Sequence, residues 1–233
     1  MLRTSRGFTL IEIAIVLVVI GLLLGGVLKG QELITGARVR SLIAQQDGIK
    51  AAFFGFQDRF RALPGDYTAA SSNIDCSGGC PDGNGNGRIE KGGGGTPHEE
   101  IFVWAHLSGA GFLNGSYVAA AGTDTATDDN TPKSPYGAYL EFVHDGIYGS
   151  GTTTTPGTLK HNLKTGNQIP VEILAEIDRK IDDGRPDSGT FQFSAYAAGG
   201  GTGPTYADCV EAGTPSSWKV NGGEANCGGA SLF

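Results

Sequence analysis

The chain has 233 residues, with 17 Lys and Arg against 24 Asp and Glu, a formal net charge of −7, 39 Gly and 4 Cys. That acidic balance excludes a broad phosphate-binding surface, which needs clustered cations. The length suits one long helix plus a single head of ordinary domain size, and the glycine content makes that head rich in loops.

Residues 1–7, MLRTSRG, are short and basic, with Arg3 and Arg6 and no acid. From Phe8 to Leu28 the chain is apolar except for Thr9 and Glu12. A bilayer core of roughly 30 Å takes about 20 helical residues, so this stretch predicts a membrane-spanning helix. A secretory signal would carry an A-x-A cleavage site after its apolar core, but here that core runs on into GLLLGGVLKGQELITGARVRSLIAQQ. The segment is therefore expected to stay with the mature protein. The two arginines place the N-terminal end in the cytoplasm and the bulk of the chain across the membrane. An ionised carboxylate within hydrocarbon costs on the order of 3 kcal/mol on insertion scales. Glu12 thus requires a partner, unless it snorkels to the interface from its place one turn into the helix.

RGFTLIE, with the basic leader before it and the apolar helix after it, resembles the processing motif of type IV prepilins and type II secretion pseudopilins. The resemblance spans Arg6 to about Gln46. It implies cleavage by prepilin peptidase after Gly7, N-methylation of Phe8, and a role for Glu12 in setting subunit register. The amine that cleavage creates on Phe8 is the expected partner of Glu12, since an unpaired buried charge is costly. The resemblance further implies a structural subunit that waits in a bacterial inner membrane and is taken up by an inner-membrane assembly platform. Its N-terminal helix then enters a homo-oligomeric helical filament, extracellular or periplasmic. The sequence departs from the family in reading LLLGGVLKGQ where many pilins carry a Pro. The competing interpretation is a single-pass membrane-anchored extracellular binding module, adhesin or enzyme.

Beyond the apolar stretch, Leu42, Ile49, Phe53, Phe56, Phe60 and Leu63 recur at intervals of 7, 4, 3, 4 and 3, a helical stripe. One helix is expected over residues 8–61, stopped by Leu63-Pro64-Gly65, with its outer half burying a Phe-rich face against a head over residues 62–233. Gly25, Gly26, Gly30 and Gly36 weaken this helix or let other helices approach it closely.

Cys76 and Cys80, and Cys209 and Cys227, form an even set that reads as two disulfides in an exported chain. Of the three possible pairings the local one is preferred; the spacings suit neither paired C-x-x-C nor a Cys/His zinc site. Between the first pair and the next apolar run lies CPDGNGNGRIE. Asp82, Asn84 and Asn86 stand at positions one, three and five, Gly87 at six, the Arg88 carbonyl at seven and Glu90 at nine, the oxygen spacing of a calcium loop. The stretch resembles the first nine residues of an EF-hand or dockerin loop, and calcium is the expected cofactor. Position twelve is Gly93, so the last ligand must come from Glu99, Glu100 or water. The competing interpretation is a surface loop of Asn-Gly turns.

Residues 96–107 predict a short amphipathic helix with Pro97 in its first turn. Residues 137–148 predict a strand ending in an Asp-Gly turn. Further strands are expected at residues 162–163, 190–197 and 218–220, with a helix over 171–181. The sum is an α+β fold, a long N-terminal helix on a small antiparallel sheet, which is also what the pilin resemblance implies. Glu176, Asp178, Asp182, Asp183 and Asp187 gather near the end of the predicted helix; a solvated end stopped at Gly184 is expected over a second metal or a subunit contact. No catalysis is expected. His98-Glu99 opens H-E-x-x-H, but Phe102 stands where the second ligand belongs, and His106, His144 and His161 are scattered.

Overall fold

The computed structural model describes residues 10–76, 78–93, 97–120, 122, 125–198 and 202–233. Helix α1 runs over Leu10–Phe60, and the chain divides into two compact units, the first ending at Arg40 and the second being Ser41–Phe233. In the first unit every residue from 10 to 28 is exposed. A Cβ added at Gly21, Gly25, Gly26, Gly30 or Gly36 would meet nothing within 4 Å.

The second unit begins with the last turns of α1, where the helical stripe becomes core. Leu42, Ile49, Phe53 and Phe56 are buried. Phe53 stacks on Phe142 at 5.0 Å between ring centroids and meets Phe233 edge-on at 5.4 Å. The helix stops where Arg61 turns left-handed, at φ 55°, before Pro64 forbids continuation.

A single turn, α2 (Ala70–Asn73), precedes α3 (Glu99–Gly109). The amphipathic expectation for α3 needs correcting, because everything from Glu99 to Leu107 is buried. One face, with Val103, Trp104 and Leu107, joins Phe56 and Phe142, while the other, with Ile101, Phe102 and Ala105, packs with Ala119. A helix covered on both sides has no solvated stripe, so its polar residues must find partners inside.

Strands β1 (Glu141–Asp145) and β2 (Lys160–Lys164) pair antiparallel with Phe142 opposite Leu163 and His144 opposite His161. The connection between them, residues 146–159, opens at Asp145-Gly146 but is far longer than a tight turn. Helix α4 (Val171–Ile181) follows, then β3 (Phe191–Phe193), a shorter strand than the sequence suggests. After the single turn α5 (Tyr206–Cys209), β4 (Val210–Glu211) and β5 (Ser217–Trp218) form a separate two-stranded ribbon. The last strand, β6 (Gly229–Leu232), inserts between β2 and β3, giving the sheet order β1-β2-β6-β3. Disulfides join Cys76 to Cys80 and Cys209 to Cys227.

Candidate assembly segment and metal loop

The two candidate sites lie in different units. In the first unit Glu12 occupies the first turn of α1. Gly7 and Phe8, the residues expected to be processed, lie outside the described residues. The remainder of the segment is an unbroken apolar cylinder: Leu17 and Leu22 are exposed, as are Val18, Leu23 and Leu28, and the helix is long and apolar enough to cross a membrane. Such a surface is stable only when lipid or other protein covers it.

In the second unit residues 82–90 form a compact loop whose backbone is turned inward. The Asn84 side-chain Oδ1 accepts the Asn86 N–H at 3.0 Å, and Asn86 Oδ1 accepts the Arg88 N–H at 2.9 Å. These are Asx turns, one residue stepping to the next. Gly87, at φ 82°, takes the left-handed conformation that position six demands. Glu90 Oε2 receives the side-chain amides of Asn86 at 2.7 Å and Asn84 at 3.3 Å. Asn84, Asn86 and Glu90 therefore converge.

Asp82 does not converge with them. Its two carboxylate oxygens accept the N–H and the hydroxyl of Ser71, at 2.8 and 3.0 Å, and so cap the turn α2. In its place a residue from outside the loop enters: Asp66, buried, accepts the N–H groups of Asn86 at 3.0 Å and Gly87 at 2.8 Å. Asp66 was missed in the sequence, where its only local signal is an acid directly after the Leu63-Pro64-Gly65 breaker.

Glu99 and Glu100 act on backbone. Glu99, buried in the first turn of α3, accepts the N–H groups of Asn84 at 2.9 Å and Glu90 at 3.0 Å. Burial raises its carboxyl to about 7 against those two hydrogen bonds, which favour the charged form. Glu100 accepts the Gly92 N–H at 3.1 Å. The far end of the loop is fixed to the sheet by the Ile89 carbonyl, which accepts the His144 N–H at 2.7 Å, and by Lys91, ion-paired to Glu141 at 2.8 Å.

The acidic group on α4 is built differently from the solvated end expected. Asp178 is fully buried and accepts the Trp218 indole N–H at 2.6 Å and the Gly184 N–H at 3.2 Å. Burial pushes its carboxyl up to about 7. Asp182 accepts the N–H groups of Thr190 and Phe191, and Asp183 those of Arg185 and the Ser188 hydroxyl. All three carboxylates, although they lie close together, are spent on folding the 182–191 turn. Glu176 pairs with Lys180 along the helix.

A long apolar N-terminal helix and a head with a four-stranded antiparallel sheet define a pilin-like α+β architecture. Residues 2–28 match the prokaryotic N-terminal methylation motif, so the chain carries the signature of type IV pilins and pseudopilins. That motif marks structural proteins and not an enzyme family. No curated protein and no solved structure matches the chain.

Proposed function

We propose that the chain is a structural subunit of a type IV pilus-like or type II secretion pseudopilus filament. Prepilin peptidase cleaves after Gly7 and Phe8 becomes the methylated N-terminus. Before assembly α1 anchors the subunit in the inner membrane; after passage through the assembly platform the same surface packs against neighbouring copies outside it. One observation carries this: residues 10–28, the described part of the methylation motif, form an apolar helical cylinder exposed along its whole length. Lipid and then other subunits supply the cover it needs. Glu12 adds register: in the filament its carboxylate meets the amine of a neighbouring mature Phe8 that arrives at the same height.

Mass spectrometry of the mature protein tests this, with methyl-Phe8 as the expected N-terminus. An intact Met1 would point instead to an anchored binding module. The register role is tested by Glu12→Leu, which should abolish recovery of the protein in sheared filaments while leaving its membrane level unchanged.

We further propose that the head binds calcium through residues 82–90. The donors are oxygens, as a hard cation prefers, the left-handed Gly87 suits the sharp turn, and Asx turns hold the Oδ1 atoms of Asn84 and Asn86 on the loop whose side chains already gather at Glu90. When bound, the ion would offset the Glu90 charge and cross-link the Asn84, Asn86 and Glu90 side chains, which otherwise meet through hydrogen bonds.

A further inference from the structure

We propose that Asp66, and not Asp82, supplies the first carboxylate of this calcium site, completing a set with Asn84, Asn86, the Arg88 carbonyl and Glu90. The proposal rests on the calcium reading of residues 82–90 and assigns its central ligand. A carboxylate that receives successive N–H groups from the turn of such a loop stands inside it. Here those N–H groups belong to Asn86 and Gly87, and the receiving oxygens are Oδ1 and Oδ2 of Asp66. The Asn86 N–H is shared between Asp66 Oδ1 and Asn84 Oδ1, each 3.0 Å away, which brings the two oxygens to one side of the loop. Each retains a lone pair for a cation.

Asp82 is held away by more than its own bonds to Ser71. Its neighbours are clamped on both sides. The Pro81 carbonyl accepts His106 Nε2–H at 2.8 Å, and the Gly83 N–H goes to the Tyr67 carbonyl at 2.9 Å. A Cβ at Gly83 would lie 2.3 Å from the Gly65 carbonyl, so the two strands of chain touch and only glycine fits. Swinging Asp82 into the loop would break these contacts together.

Charge points the same way. Asp66 is only 5 % exposed, and among the described residues no Lys, Arg or His forms an ion pair with it. A buried carboxylate calls for a counter-charge, and a divalent cation beside Asn84 and Glu90 provides one. Asp66, Gly85 and Gly87 also line a cavity of about 430 Å³ with Phe60, Arg61 and Tyr67, which gives a hydrated ion an entry path.

The test uses the full chain in detergent micelles, melted with calcium chloride and with EDTA while following tryptophan fluorescence, Trp104 being in the core. The wild type should melt higher with calcium, and calcium titration should give a saturable affinity. Asp66→Asn should weaken that affinity on the order of 10- to 100-fold and remove the calcium increment measured against its own EDTA baseline. Asp82→Asn should lower the baseline, through the lost cap of α2, yet keep the increment. If Asp66→Asn does not melt cooperatively, Asp66→Glu replaces it, keeping the charge but displacing the oxygens, with a reduced increment expected. The assignment falls if Asp82→Asn removes the increment while the Asp66 variant keeps it. It falls too if the wild type shows no increment, a result that also removes the calcium reading itself.

Discussion

Removing the last turns of α1 from the head should unfold it. A fragment starting at Ser41 contains the whole second unit, whereas one starting at Ala62 lacks Leu42, Ile49, Phe53 and Phe56, which are 0, 2, 4 and 0 % exposed. Burial of a large apolar side chain contributes roughly 1.5–3 kcal/mol, so these four account for roughly 6–12 kcal/mol. That equals the whole stability of an ordinary domain, about 5–15 kcal/mol. The loss also strips one face from Phe142 and Phe233, both ring partners of Phe53. The Ser41 fragment should give near-ultraviolet circular dichroism and one cooperative urea transition; the Ala62 fragment should give neither. Within the Ser41 fragment, Phe56→Ala should cost about 3–5 kcal/mol, the range for emptying a packed aromatic site. A fragment from Ala62 that unfolds with the same midpoint as the longer one would refute the view that the helix end is part of the head's core.

Three further outcomes follow from buried polar groups and cross-links. His106, fully buried, accepts the Gly65 N–H on Nδ1 and donates from Nε2 to the Pro81 carbonyl, and burial lowers its pKa from 6.5 to about 4. A depressed histidine contributes stability that is present above pH 6.5 and lost as pH falls through about 4, up to about 3 kcal/mol; an NMR titration of His106 with a midpoint near 6.5 would contradict this. Trp218→Phe leaves the buried Asp178 without its indole donor and should cost about 2 kcal/mol in urea unfolding above about pH 8, where a carboxyl raised to about 7 is ionised, since hydrogen bonds to charged groups run higher than neutral ones; a change near zero would mean that water takes the indole's place. Replacing Cys209 and Cys227 with Ser should cost about 3 kcal/mol and the Cys76, Cys80 pair about 2, because the larger closed loop restrains the unfolded chain more; equal losses would point to native-state contacts as the cause.

Features written in short-range pattern could be read directly. The apolar run with Glu12 inside it is legible by its length alone; the Phe stripe of α1 and the α4 helix over Val171–Ile181 repeat at a helical spacing, so burial of one face follows from local geometry. The loop's donor types were visible for the same reason, and Asn84, Asn86 and Glu90 do meet. What escaped was long-range. β6 is four residues of GASL, buried along its whole length at the middle of the sheet, and a strand covered on both faces shows no alternation to detect. The polar residues of α3 suggested a wet face until a second cluster with Ala119 covered it.

A membrane-length helix with a carboxylate near its start, a prepilin-type leader and an oxygen-rich loop are all legible in the order of the amino acids, because each is a property of neighbours along the chain. Which carboxylates face which amides is set by the packed fold. Asp66 reaches Asn86 and Gly87 across about twenty residues, Asp82 is drawn away to Ser71, and Asp178 is sealed beneath Trp218. Those choices depend on where the backbone folds back on itself, and a charged side chain goes wherever burial leaves N–H groups to receive it.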